Sequence, residues 1–364
     1  MAHNTVLERR RFRRVSTTTA TLFLAGALAA CGSDTSATNS SSAGSAPVTM
    51  QLSWLKDVTA SGELFALENG YYTEAGLDGM TESNILANSG STSAESVVVS
   101  GQALVGMNSM ATTGPAIAQG APLVVIASLL QENPYTLLSL QERTPIRSIE
   151  DLKGKRVGVQ SINQVLWKGF LEANGLSESD VETVPVEYSL APLETGDIDA
   201  YLSYRTNQPI TAQQDGYTPV LLNFADHGMA FTSNLYFVTK DTLERDRDRV
   251  KSFMIGEVRG WTDSVQNPAA AAQIAYDKYG ADLKLDLAQQ TAQMNAQVGL
   301  MVTADTNTHG LMTLSDQLIS DNLAALELMG TDLDAEQVFD PSLMEEIYSE
   351  NPSLVVQLPI DEER

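Results

Sequence analysis

The side chains able to do chemistry in this chain are rings and carboxamides rather than nucleophiles or metal ligands. Cys31 is the only cysteine, so the body of the protein has no thiol nucleophile, disulfide or zinc knuckle. His227 and His309 stand far apart, with no metal-ligand spacing and no serine or cysteine motif beside either. The densest charged run, residues 244–251, alternates acids with arginines and reads as a solvated helix face rather than an acid–base cluster. What remains is a set at the ends of expected strands: Trp54, residues 88–91, Asn108, Ser109, Gln131, Asn133, Ser161 to Asn163, Tyr188, and Tyr204 to Asn207, with Arg205 its only cation. A planar, hydrogen-bonding, roughly neutral ligand fits such a set, since rings stack on faces while amides meet the edge.

Several of these residues have a second reading. Trp54 serves either as core filler or as a stacking wall. Glu63 opens a helix, where the macrodipole alone favours an acid, and it could also accept from a ligand amine. Trp167 lies well inside its helix, a depth that suits the core unless the ring leans back over the helix start. Tyr188 and Tyr204 end neighbouring strands. Asn207 precedes Gln208-Pro209, so Thr206 or Asn207 can act as the N-cap with Pro209 in the first turn.

The elements that must position this set follow from periodicity. Val48, Met50, Leu52 and Trp54 alternate with polar residues, the pattern of a strand. A helix is expected over 61–69, ended by Gly70. Thr92-x-x-Glu95 reads as a capping box for another, closed by Gly101. Strand 104–108, helix 111–119 and strand 123–129 follow. The alternation restarts at Ser148, where Ser148-x-x-Asp151 caps a short helix. Then come strand 156–160, helix 162–174, strand 184–188, helix 191–195, strand 200–204, helix 207–214 and strand 218–224. Strands separated by single helices indicate an α/β class with a largely parallel sheet, and two such series suggest two lobes of related build. In open α/β sheets ligands bind beyond the carboxyl ends of the strands, the rule that selects the candidate set. The apolar stretches 136–140 and 235–239 bracket the second series and read as paired connecting strands, a hinge. After Asp241 the pattern is helical to the end, a tail expected to pack on the first lobe.

The ends of the chain carry separate information. Arg9, Arg10, Arg11, Arg13 and Arg14 precede a mostly apolar stretch closed by Leu28-Ala29-Ala30-Cys31, the pattern of a secretory leader over 1–30. A cysteine in that context resembles the bacterial lipobox, which implies lipidation at Cys31 and anchoring at the outer face of the cell membrane. Residues 31–47 are small and polar and read as a flexible tether. The division expected is 48–140 for the first part of lobe 1, 141–235 for lobe 2, and 236–364 for the helical remainder of lobe 1. The whole chain carries a net charge of −24; removing residues 1–30 takes away five arginines and one acid and leaves −28. Such a balance argues against nucleic acid as a general partner, because phosphate must be neutralised to be bound.

The residues also carry a resemblance. Trp54, Gly62, Ala66, Asn69-Gly70-Tyr71-Tyr72, Glu74 and Gly76-Leu77 look like the opening of periplasmic-type solute-binding proteins of ABC importers. The group most resembled handles thiamine pyrimidine precursors. The likeness continues through Gly101-Gln102-Ala103, Gly120-Ala121-Pro122-Leu123, Gln131-Glu132-Asn133-Pro134-Tyr135, Asp151-Leu152-Lys153-Gly154-Lys155, Val157-Gly158-Val159 and Thr206-Asn207-Gln208-Pro209. The resemblance implies a two-lobed, type II periplasmic-binding-protein-like fold with a helical C-terminal tail. It also implies a small-molecule ligand, a membrane permease as partner, no cofactor, no catalysis and a monomeric state. By the same likeness Trp54, Glu63, Gln131, Asn133, Trp167, Tyr188, Tyr204 and Asn207 fall in the pocket, with Trp54 and Glu63 as facing walls. Lys56-Asp57 and Ser89-Gly90-Ser91 depart from the usual pattern at the cleft's border. Binders of sulfonate, nitrate or riboflavin share much of this opening, and Arg205 before a helix keeps an anionic ligand in play. An extracytoplasmic enzyme on the same scaffold is the reading from another class. The related fungal synthases depend on a cysteine-rich segment, which this sequence does not contain.

Overall fold

The computed structural model describes residues 46–88 and 92–360. The leader, Cys31, most of the tether and residues 89–91 lie outside the described residues. Ten strands form two five-stranded sheets: β1 (Met50–Gln51), β2 (Ile85–Leu86), β3 (Val105–Asn108), β4 (Leu123–Ser128), β5 (Tyr135–Leu140), β6 (Arg156–Val159), β7 (Glu182–Pro185), β8 (Ala200–Tyr204), β9 (Pro219–Asn223) and β10 (Leu235–Thr239). The first sheet has the order β2-β1-β3-β10-β4 and the second β7-β6-β8-β5-β9. Each holds three parallel strands followed by one antiparallel to both of its neighbours, β10 in the first sheet and β5 in the second. The two αβ series therefore fold into sheets of one plan.

The expected hinge is not what the structure shows. β5 and β10 do not pair with each other: β5 lies between β8 and β9, and β10 between β3 and β4. Their apolar sequences reflect burial within a sheet, since all six residues of β5 are buried. The chain crosses from one sheet to the other over 129–134 and returns over 224–234. Asn133 stitches these crossings together, its amide nitrogen donating to the Met229 carbonyl and its oxygen accepting from the Tyr135 N–H at 2.8 Å.

Local chemistry sets the helix starts close to where the sequence predicts them. The helix Ser61–Glu68 ends with Gly70 in the left-handed region (φ 72°). The helix Ala94–Val99 is capped by Ser93, whose side chain accepts from the Ser96 N–H, one residue later than the expected Thr92 box. Asp151 accepts from the Arg147 and Ser148 N–H groups ahead of the short 3₁₀ turn Glu150–Leu152.

The helices Arg247–Gln266, Pro268–Leu283 and Leu287–Met301 share one apolar core with the first sheet. A later helix, Asp316–Leu328, packs on Met110–Ala118 from the first half and on Gln164–Ala173 from the second. Among the described residues no helix is long and apolar enough to cross a membrane.

Where Arg247–Gln266 crosses Ser61–Glu68, two glycines meet. A Cβ added at Gly260 would lie 2.0 Å from the Gly62 carbonyl oxygen. Beside this crossing lies a buried acid pair. Tyr236 on β10 donates to Glu257 at 2.9 Å and lies 3.3 Å from Glu63, and Tyr72 donates to the other Glu257 oxygen. Trp261 Nε1 donates to the Tyr236 oxygen at 3.0 Å. Burial raises Glu63 well above the ordinary carboxylate range, and the neighbouring Glu257 raises it further. Burial likewise pushes Glu257 up to about 7, against the hydrogen bonds it accepts from Tyr72 and Tyr236. A protonated Glu63 beside an ionising Glu257 lets Tyr236 donate to one acid while its oxygen accepts from the other.

Two consequences can be measured. Gly260→Ala forces the helices apart and is expected to destabilise the protein by about 1–3 kcal/mol or more in urea unfolding; an unchanged midpoint would show that the crossing relaxes freely. The acid pair binds more protons folded than unfolded, so stability is full below the ordinary carboxylate range and declines as pH rises through about 7. The decline is expected to be on the order of 3 kcal/mol and to be weaker in Glu63→Gln. An equally steep decline in that variant would clear the pair as its cause.

Candidate functional site

A cavity of about 290 Å³ lies between the two sheets, beyond the carboxyl ends of their parallel strands. The first sheet contributes Ser53 and Trp54 after β1, Asn88 after β2, and Asn108 and Thr112 at the end of β3. The second contributes Gln160 to Asn163 after β6, and Leu202 to Tyr204, Asn207 and Gln208 around the end of β8. Tyr135 at the start of β5, Asn234 before β10, and Gln293 from the helix Leu287–Met301 complete the wall from other directions.

Each ring is held edge-on by another. Trp54 meets Tyr188 at 4.5 Å between ring centres and 71°, a contact from the first half to the second. Tyr135 meets Tyr204 at 4.7 Å and 87°, and the Tyr204 hydroxyl is 2.6 Å from that of Ser233. Burial pushes the Tyr204 and Tyr135 phenols above their ordinary range, so both stay neutral. The Trp54 carbonyl accepts from the Asn88 N–H at 2.9 Å, fixing the turn that presents the indole.

The amides are oriented from behind. Asn108 donates to Glu95 at 3.2 Å and accepts from the Ser109 N–H at 2.9 Å, while Glu95 also accepts from Thr113 at 2.9 Å. Gln160 donates to the Leu202 carbonyl at 3.0 Å and accepts from Asn163 at 2.9 Å. Asn207 occupies the N-cap position of Gln208–Gln214 but makes no side-chain cap bond; its oxygen accepts from Gln289 at 3.1 Å. Gln289, Gln290 and Gln293 bond to one another along one helix, and Gln290 accepts from the Val58 N–H at 2.8 Å.

Of the sequence candidates, Trp54, Asn108, Ser161, Asn163, Tyr204 and Asn207 line this cavity, and Tyr188 backs Trp54. Glu63 does not face Trp54 across it, because its fully buried carboxyl belongs to the acid pair with Glu257. Trp167 is core: it is 1% exposed, stacks on Phe170 and donates to Thr183 at 2.9 Å. Asn133 is occupied in stitching the crossings, as described. Gln131 donates to the Ser128 and Thr313 carbonyls and lines a separate, more open depression with Asp305, His309 and Asp316. Ser109 sits behind the wall, 1% exposed, its hydroxyl 3.5 Å from that of Thr112. Arg205, the one cation in the candidate set, and the lysines Lys56 and Lys168 are engaged elsewhere. Arg205 pairs with Glu132, Lys168 with Glu172 at 3.9 Å, and Lys56 donates to the Glu82 carbonyl and lies over the Tyr279 ring. Asp57 caps the turn Val58–Ala60 through the Thr59 N–H.

Among the rings and amides of the wall, sequence reasoning missed Tyr135, Gln160, Gln208, Asn234 and Gln293. Tyr135 begins its strand instead of ending it, Asn234 precedes the stretch 235–239 read as hinge, and Gln293 comes from the helical tail read as packing on the first lobe. No lining residue among those described carries a charge.

The wall position of Trp54 is open to a direct check. Trp167 and Trp261 are buried, whereas Trp54 is half-buried. Acrylamide quenching of tryptophan emission is therefore expected to fall sharply in Trp54→Phe. Retention of the quenchable fraction would place the accessible indole elsewhere.

Residues 58–271 match the NMT1/THI5 like family. Over 268 residues the chain is 24% identical to a formylaminopyrimidine-binding protein of Halalkalibacterium halodurans, covering 72% of this chain and 78% of that one. It is 25% identical over 216 residues to a 4-amino-5-hydroxymethyl-2-methylpyrimidine phosphate synthase of Schizosaccharomyces pombe, covering 56% and 61%. A stretch of 107 residues is 37% identical to a Haemophilus influenzae protein assigned to thiamine biosynthesis, spanning 28% of this chain and about a third (34%) of that one. In structure, the periplasmic aliphatic sulphonate binding protein of Escherichia coli superimposes with a TM-score of 0.60 at 12% identity, covering 87% and 95%. The periplasmic nitrate-binding protein of Synechocystis gives 0.57 at 12%, covering 86% and 92%. The fold is thus of the type II periplasmic-binding-protein kind, and the chain belongs to the NMT1/THI5-like family.

Proposed function

We propose that this chain is the substrate-binding component of an ABC importer and that it captures a small planar heterocycle without net charge, first among them an aminopyrimidine precursor of thiamine. The observation that carries the reading is the lining: three rings and eight carboxamides, and no charged side chain among the described residues. Rings bind flat faces by stacking and carboxamides bind polar edges, whereas a charged ligand needs a counter-charge in so enclosed a site. A volume of about 290 Å³ sits at the lower end of the small-molecule range, the size class of one substituted ring. The name of the Halalkalibacterium relative points to the same ligand class.

In this reading the halves close about the two crossings, residues 129–134 and 224–234. A ligand shifts that equilibrium only by binding the closed form better, so each half must contribute contacts. Trp54 and Asn108 do so from one side and Asn163, Tyr204 and Asn207 from the other. The closed form is then delivered to a membrane permease, with export and the Cys31 anchor keeping the protein beside it.

A second reading comes from the Schizosaccharomyces relative, a pyrimidine phosphate synthase. Turnover separates the two, because a carrier returns its ligand unchanged.

Mass spectrometry of whatever gentle denaturation releases is expected to find a pyrimidine. An aminopyrimidine at roughly 100 times its Kd should stabilise the protein by about 2.7 kcal/mol. Trp54→Ala is expected to abolish that stabilisation, and Arg205→Gln to leave it intact. Stabilisation by taurine or nitrate but not by pyrimidines, lost in Arg205→Gln, would replace this reading with an anion carrier. Conversion of the pyrimidine to a new product would replace it with the synthase.

A further inference from the structure

Asn234 is the last residue of the second crossing, and two costs meet in it. Its backbone lies in the left-handed region at φ 55°, which a residue with a Cβ adopts at a cost. Its side-chain oxygen is buried and accepts no hydrogen bond, a state that costs the desolvation of the oxygen with no return. Its neighbours are satisfied. Thr232 receives Asn322 on its N–H at 2.9 Å, and the Ser233 hydroxyl meets that of Tyr204. The Asn234 carbonyl accepts from the Leu129 N–H at 3.0 Å, so this residue also joins the first crossing to the second. Asn234 is among the residues that line the cavity and is 4% exposed. A glycine would adopt the same backbone without bringing an unpartnered oxygen into the wall.

We propose that Asn234 Oδ1 is the acceptor that selects the ligand, taking an N–H from an exocyclic amino group. This rests on the reading that the cavity holds a flat uncharged heterocycle, and it names the polar edge that heterocycle must present. A carboxamide offers an acceptor and a donor side by side, which matches an amino group next to a ring nitrogen, the pairing by which asparagine reads adenine. Binding then satisfies an oxygen that the empty protein leaves without a partner, so the interaction favours ligands that bring the donor and penalises those that lack it. Because Asn234 bonds to Leu129, the ligand's edge is also tied to both segments about which the halves would move.

The test is calorimetric titration of the full chain and of Asn234→Gly with a 4-aminopyrimidine and with its desamino analogue. Wild type is expected to prefer the amino compound by about tenfold or more. Asn234→Gly is expected to lose that preference by weakening for the amino compound alone. Its unfolding temperature without ligand should equal or exceed the wild-type value, since glycine accepts this φ and brings no unpartnered oxygen. Asn234→Asp, which keeps an acceptor at the same place, should retain the preference. Equal preference in wild type and Asn234→Gly, or none in wild type, overturns the inference while leaving the binding function standing. Failure of wild type to bind either pyrimidine overturns both.

Discussion

Each sheet takes its fourth strand from the other half of the chain, and that exchange sets the rest of the structure. β5 follows the last strand of the first sheet yet pairs with β8 and β9, and β10 returns from the second sheet to sit between β3 and β4. Two crossings are the minimum that such an exchange requires. They run side by side, joined through Asn133 to Met229 and through Leu129 to Asn234. The strand ends of both sheets consequently open toward one space, and the helices that follow those strands begin there. The cavity is a product of connectivity before it is a product of any particular side chain.

Within that space the chain keeps its charges away. A protein with a net charge of −24 lines its central cavity with neutral groups only, among the described residues. Glu95, behind the wall, is engaged with Asn108 and Thr113, so it orients an amide. Arg205 follows a lining tyrosine and is turned to Glu132. A site of this kind distinguishes ligands by shape and by the sequence of donors and acceptors along an edge, because the field inside comes from fixed dipoles rather than from ions.

The strand-end rule made part of the site legible before any coordinates. Trp54, Asn108, Ser161, Asn163, Tyr204 and Asn207 all follow from one argument about where parallel strands stop. Glu63 and Trp167 came from helix positions and the family resemblance instead, neither of which says which way a side chain points, and both turn into the core. The rule itself cannot see residues that arrive from a different part of the chain. Gln293 and Asn234 belong to segments whose local pattern speaks only of helix and strand. Gln131 and Asn133 were read as ligand contacts because amides at a strand end suit a ligand, whereas the backbone at a crossing needs the same amides. The apolar stretches 136–140 and 235–239 were misread for a related reason: a buried central strand and a buried linker look alike in composition.

The glutamines of the helix Leu287–Met301 have an effect that reaches past the cavity. From the Val58 N–H through Gln290 and Gln289 to Asn207, a relay of amides runs from the backbone of one half to a wall residue of the other. Its final link is a single neutral bond of 3.1 Å, from Gln289 to the Asn207 oxygen. Breaking such a link changes the free energy by only about 1 kcal/mol. The relay therefore ties the two halves together lightly, through one weak link and not through a rigid buttress.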